Sequence, residues 1–143
     1  MVLGAMFAMG LGAQPAPAQD STPTVEILPV LGKFLSLWEA EDHSSLAGLI
    51  HEAGASITLA PGGRSTHSTS PAQAHYLFKS LFQQTDRHHL EVETVLSGKA
   101  DDSVRAVLLW GYRRGDQALR ERVFIGLERW GEGWRIVTLR TGR

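Results

Sequence analysis

The sequence predicts an α+β fold: a curved antiparallel sheet packed on three helices, in the order α-α-β-β-α-β-β-β-β. Two observations carry that reading. Residues Ser70 to Gln84 form a helix with its own start signal in the middle of the chain. Behind it, His89 to Arg140 reads as four alternating strands separated by short turns. Long meander strands with the helices gathered on one face make an α+β roll.

Taken in order, Asp20 to Thr24 reads as a short linker, and Pro29 to Ala40 as the first helix with Pro29 in its first turn. Val30, Leu31, Phe34, Leu35 and Trp38 give that helix its apolar stripe. A second, short helix is expected near Ser44 to Ile50, capped by Asp42 or Ser44, until Ala53-Gly54 breaks it. Ser56 to Leu59 is a strand, Pro61-Gly62-Gly63 a turn, and Arg64 to Ser68 the returning hairpin partner.

Ser70 can cap the third helix, Pro71 suits its first position, and Gln73 completes a capping box. Ala74, Leu77, Phe78, Leu81 and Phe82 fall on one face. Gln84 to His88 reads as a polar connection. His89 to Leu96 and Ser103 to Arg113 are the next strands. The second of these carries Val104, Ala106, Leu108, Trp110 and Tyr112 on one face and Val107 and Leu109 on the other. Its centre is apolar on both sides, so helices are expected against one face and a partner subunit against the other. Ala118 to Arg129 and Trp134 to Arg140 complete the meander, with Trp130 and Trp134 expected to pair across the turn between them.

Length and composition bound the function classes. The 143 residues are one domain's worth. Lys+Arg number 14 against 15 Asp+Glu, giving a formal net charge of −1, so no bulk attraction to nucleic acid or an anionic membrane follows. Arginines are dense from Arg113 to Arg143, but Glu and Asp116 interleave them, as on a solvated strand face. The absence of cysteine excludes disulfides, thiolate catalysis and Cys-ligated zinc.

Leu3 to Ala13 is apolar, small and uncharged, and Ala16-x-Ala18 fits a signal-peptidase site. Residues 1–18 are therefore expected to be a signal peptide, 19–28 a linker and 29–143 the folded domain. The run is too short to span a bilayer, so stable membrane insertion is not expected. No Lys or Arg precedes it, so either the true start is expected upstream, the reading favoured with export, or the run is a disordered Ala/Pro/Gly tail and not a signal. The expected location is periplasmic or extracellular.

The element order, and the phrase Trp38-Glu39-Ala40-Glu41-Asp42-His43-Ser44-Ser45-Leu46, resemble the nuclear transport factor 2-like (SnoaL-like, cystatin-like) superfamily. Ser70-Pro71-Ala72-Gln73-Ala74, Leu77-Phe78-Lys79-Ser80-Leu81-Phe82 and Trp134-Arg135-Ile136-Val137-Thr138-Leu139-Arg140 resemble one branch more closely. That branch is domain-of-unknown-function family 4783, small exported bacterial proteins. The resemblance covers about Val30 to Arg143. It implies a cone-shaped roll, a curved sheet wrapped on helices with a cavity at its wide end. It carries over no catalytic residue, since the branch has none established. Enzymes of the wider superfamily use an acid/base residue near the cavity mouth, with Tyr or Asp holding an oxyanion.

Residue types for such chemistry are present at Glu39, Asp42, His51, Tyr76 and Tyr112, although capping and packing explain each without it. Trp38, Trp110, Tyr112, Trp130 and Trp134 could line a ligand cavity or serve as core. The adjacent His88 and His89 face opposite sides of a strand and cannot chelate together. His67 and His75 flank the third helix's cap and could approach one another, but no third ligand is evident and no metal site is expected. No Ser/His/Asp signature or phosphate loop is present, and no cofactor is expected.

The leading expectation is an exported, non-catalytic domain. It would bind a small apolar ligand or an envelope protein, and form a homodimer through the outer sheet face. The cavity candidates are Trp38, Asp42, His51, His75, Tyr76, Trp110 and Tyr112. The alternative is an isomerase, dehydratase or cyclase with His51 or Asp42 as base and a Tyr as hydrogen-bond donor.

Overall fold

The computed structural model describes residues 22–59, 64–97 and 102–142. The expected signal peptide lies outside them. Helix α1 spans Thr22–Glu39, α2 His43–Ala47 and α3 Pro71–Gln84. The strands are β1 Ala55–Leu59, β2 Arg64–Thr69, β3 Asp86–Ser97, β4 Ser103–Arg114, β5 Gln117–Trp130 and β6 Gly133–Gly142. The order is the expected α-α-β-β-α-β-β-β-β.

Six strands form one curved sheet in the order β2-β1-β6-β5-β4-β3. All neighbours are antiparallel except β1 and β6, which run parallel with Ser56 opposite Thr138. That seam brings the N-terminal hairpin alongside the end of the meander. An isolated bridge between Ile50 and Ile136 extends it. The three helices pack on one face. Buried residues from every layer form a single core: Phe34 and Trp38 of α1, Phe78 and Leu81 of α3, and Leu108, Trp110, Ile125 and Ile136 of the sheet.

Local chemistry accounts for most boundaries. Ser70 Oγ accepts the Gln73 N–H at 3.2 Å, and Gln73 Oε1 accepts the Ser70 N–H at 3.0 Å. These satisfy donors that the first turn of a helix leaves open. Asp42 caps α2 by accepting the Ser45 N–H at 3.1 Å. Helix α1 closes with the Glu41 N–H on the Trp38 carbonyl and the Asp42 N–H on the Leu37 carbonyl. This is the paired-bond motif whose left-handed position is usually glycine. Here it is Glu41, with φ of 59°.

Three sequence expectations are corrected. The first helix begins at Thr22, so Asp20 to Thr24 is not a linker throughout, and Pro29 lies inside the helix rather than in its first turn. The reason is Ile27, which is fully buried and extends the apolar stripe ahead of the proline. Burial of Ile27 offsets the hydrogen bond the proline cannot make. Second, Gln84 to His88 is not a polar connection, because β3 begins at Asp86. A bulge hides its periodicity: Asp86 pairs with Arg113 and His89 with Gly111, leaving Arg87 and His88 opposite Tyr112 alone. Arg87 takes up the extra residue with φ of 55°. Third, Trp130 and Trp134 do not pair. The turn is two residues long, so Trp130 faces Gly133 and Arg129 faces Trp134. Trp134 is buried with the Arg129 guanidinium over its ring, while Trp130 is 43% exposed and packs on His51.

Candidate functional site

The structure divides the residues named from sequence into three places. Trp38, Trp110 and Tyr112 converge inside the cone. The Trp38 and Trp110 rings meet edge to face at 5.2 Å, and Trp110 stacks on Tyr112 at 3.9 Å. Phe34, Phe78 and Phe82 complete the contacts around Trp38. This chamber is packed with aromatic side chains. The Trp38 indole Nε1 is buried within it and has no hydrogen-bond partner among the described residues.

Asp42 and His75 meet a second group, on the surface where α2 approaches α3. Ser45 holds the Asp42 carboxylate below its ordinary pKa, chiefly through its backbone N–H and then through its hydroxyl. His75 Nδ1 lies 3.3 Å from Ser44 Oγ, and its ring meets that of His43 at 4.6 Å. Tyr76 packs against His75 but is 67% exposed. The side chain of His67 lies outside those described. Among the described residues, no group of three or more His, Asp or Glu is placed to hold a metal ion.

His51 stands apart. Its N–H bonds the Ile136 carbonyl, its Nδ1 accepts the Ala53 N–H at 3.0 Å, and its ring packs on Trp130. The structure therefore does not bring Asp42, His51 and either tyrosine together around one point.

Sequence reasoning left out His88, although the His88-His89 pair was the signal for it. The two rings do face opposite ways: the His89 side chain is 72% exposed and that of His88 fully buried. His88 stacks beside Trp110 at 5.9 Å and meets Phe82 at 5.1 Å. The Trp110 Nε1–H donates to His88 Nδ1 at 3.1 Å. On the other side, His88 Nε2 lies 3.3 Å from the Glu41 carboxylate and 3.4 Å from Thr85 Oγ1. Burial holds the His88 pKa below its ordinary value, against the opposing pull of Glu41. Nearby, the Tyr112 hydroxyl donates to the Glu121 carboxylate.

A different kind of surface lies on the outer face of the sheet. Side chains alternate along β4, so Arg105, Val107 and Leu109 point away from the helices. A hollow of about 410 Å³ opens there, with Leu96, Val107 and Phe124 among its apolar lining, Gly126 and Thr138 beside them, and Arg105 and Arg140 also lining it. The Arg140 guanidinium lies over the Phe124 ring at 4.2 Å. Neither arginine pairs with a carboxylate among the described residues. An adjoining hollow of about 430 Å³, lined by Glu93, Leu109, Arg120, Glu121 and Arg122, differs in charge. Its Arg122 forms a two-pronged bond to Glu93 at 2.9 and 3.2 Å and is already neutralised.

Solved structures share this fold. An NTF2-like protein of unknown function from Shewanella oneidensis superposes with a TM-score of 0.66 at 12% identity, covering 85% of this chain and 99% of that one. The chain has the nuclear transport factor 2-like fold. An NTF2-like protein with a cystatin-like fold from Novosphingobium aromaticivorans gives 0.62 at 15% identity, covering 88% and 84%. A protein with a ketosteroid isomerase-like fold from Catenulispora acidiphila, in complex with trimethylamine, gives 0.62 at 13% identity, covering 80% and 84%. At these identities the likeness is one of fold. No family model matches the sequence. No curated protein matches it either.

Proposed function

We propose that this is an exported, non-catalytic binding domain, and that it holds a small amphiphilic anion, a long-chain carboxylate, on the outer face of its sheet. The observation that carries the reading is the pair Arg105 and Arg140, without carboxylate partners among the described residues, lining an apolar hollow. An alkyl chain would lie on Leu96, Val107 and Phe124, and its headgroup would meet the two guanidiniums. The adjoining hollow is a poorer candidate because Glu93 already occupies Arg122.

The non-catalytic part rests on what the acid/base candidates already do. Asp42 is bound by Ser45, and His51 accepts a backbone N–H at Nδ1. Tyr76 faces solvent, and the Tyr112 hydroxyl is turned to Glu121. Export rests on the Ala16-x-Ala18 pattern, and the branch on the resemblance of Ser70 to Phe82 and Trp134 to Arg140 to family 4783. A mature N-terminus at Gln19 in secreted protein would accord with export; retained Met1 in cytosolic protein would reject it.

Titration with cis-parinaric acid below its micellar concentration tests the ligand. Saturable micromolar binding is expected, weakened about tenfold or more when Arg105→Gln and Arg140→Gln are combined. No binding by the wild-type chain, or equal binding by the double variant, rejects it.

One observation favours a second reading, in which another copy of the chain covers this face. Val107, Leu109 and Phe124 are only partly buried, and the face mixes Arg105, Arg120 and Arg122 with Glu91 and Glu93. A two-fold contact needs that kind of self-complementarity. Sedimentation equilibrium at micromolar concentration decides: a dimer dissociated by Leu109→Arg supports this reading, and a monomer throughout removes it.

A further inference from the structure

The bonds around His88 fix its protonation state. An indole N–H can only donate, so His88 Nδ1, 3.1 Å from Trp110 Nε1, must be the bare, accepting nitrogen. The ring proton therefore sits on Nε2, facing the Glu41 carboxylate and Thr85 Oγ1. Thr85 can accept it, because its own hydroxyl donates to the Leu81 carbonyl at 2.8 Å. Every polar atom of this cluster then has one consistent role. The backbone is bent to maintain it from both sides: Glu41 holds a left-handed conformation at the end of α1, and Arg87 holds another in the bulge that turns His88 inward. Such conformations cost free energy for residues other than glycine.

We infer that His88 is an acid-sensitive latch on the aromatic end of the core. As the Nε2–H tautomer it joins Trp110 to Glu41; a proton on Nδ1 sets two donors against each other and releases the Trp110 indole. The latch lies beside a hollow of about 310 Å³ lined by Glu41, Phe82, Gln83, Gln84, Thr85, Asp86 and Gly115. Three of those residues, Glu41, Phe82 and Thr85, also touch His88. Release of Trp110 would connect that polar hollow to the chamber holding Trp38 and its unpartnered Nε1.

Charged groups reach the cluster from several sides. Glu41 comes from the turn after α1 and Asp86 from the start of β3, and both favour the protonated ring. Phe82 of α3 and Thr85, the residue that follows that helix, bring no charge. Glu39 of α1 is turned to Leu90 and His89, and Glu121 of β5 to Tyr112. Desolvation is the largest influence and opposes the proton. The latch is therefore shut at neutral pH and opens only below the ordinary histidine range of about 6.5.

The test compares the wild-type chain with His88→Gln between pH 7.5 and 5. A glutamine can accept from Trp110 through its carbonyl and donate to Glu41 through its amide, yet it cannot titrate. In the wild type, anilinonaphthalene sulfonate fluorescence should rise several-fold on acidification and tryptophan emission should shift to the red, with the far-UV dichroism retained. In His88→Gln both signals should stay flat. The same rise in both proteins, or none in the wild type, overturns the latch. Should the variant not fold, nitrogen-15 NMR of the wild-type His88 ring decides. An unprotonated Nδ1 at pH 7.5, titrating together with the Trp110 indole proton, is expected; a protonated Nδ1 at that pH overturns the proposal.

Discussion

Glu39, the last residue of α1, accepts the backbone N–H of Leu90 at 2.8 Å. Leu90 lies on β3, an edge of the sheet. One helix carboxylate thereby covers a main-chain donor that an edge strand would otherwise offer to another chain. The same oxygen lies 3.4 Å from His89 Nδ1.

Replacing Glu39 with Ala should cost about 1–2 kcal/mol, the usual cost of removing a hydrogen bond to a charged group at a partly exposed site. Urea denaturation measures the loss. Faster hydrogen exchange at the Leu90 amide, with the β5 amides unchanged, would place it on the edge strand.

The reciprocal bonds of Ser70 and Gln73 should make Ser70→Ala cost about 1 kcal/mol. In a domain of this size that lowers Tm by roughly 3–6 °C, read by calorimetry. Ser70→Asp should retain most of the stability, because its carboxylate can accept the same N–H.

Pro29 interrupts α1 without serving as its start. Pro29→Ala restores a backbone donor in mid-helix and should raise stability by about 1–3 kcal/mol. A fall in the denaturation midpoint would show that the pyrrolidine ring contributes packing that outweighs the lost bond.

Trp38 and Trp110 are both buried, but only Trp110 has its N–H bonded. Phenylalanine at 110 leaves His88 Nδ1 unsatisfied, whereas phenylalanine at 38 removes an unsatisfied donor. Trp110→Phe should therefore be the more destabilising by about 1–2 kcal/mol, measured by parallel urea titrations.

His88 also sets a direction for stability against pH. Its folded pKa is depressed, mainly by burial, so the unfolded chain takes up the proton first as pH falls. This contribution is complete above about pH 6.5 and is lost below it, at no more than about 1.4 kcal/mol per pH unit until the folded pKa is reached. The stability difference between wild type and His88→Gln, followed from pH 7.5 to 5, isolates it from the carboxylates.

What the sequence carries and what it does not can be traced to particular residues. Ser70, Pro71 and Gln73 mark a helix start by local bonds alone, and α3 spans Pro71–Gln84 as expected. The alternation of Val104, Ala106, Leu108, Trp110 and Tyr112 is a property of period two, and all five are buried on the helix-facing side. Because such signals need only neighbouring residues, the sequence by itself determined the order of elements, the α+β class and the inward face of the meander.

Other features depended on partners distant in the chain. Ile27 extends α1 past Pro29 because the rest of the core covers it. The parallel seam between β1 and β6 joins segments about eighty residues apart. His88 turns inward because a bulge in β3 inserts one extra residue, and its tautomer follows from Trp110 on one side and Glu41 on the other. The pairing of Arg122 with Glu93, and the lack of such a partner for Arg105 and Arg140 among the described residues, follow from strand register. Tertiary structure alone decided these, because each is a contact between groups whose separation along the chain says nothing of their distance in space.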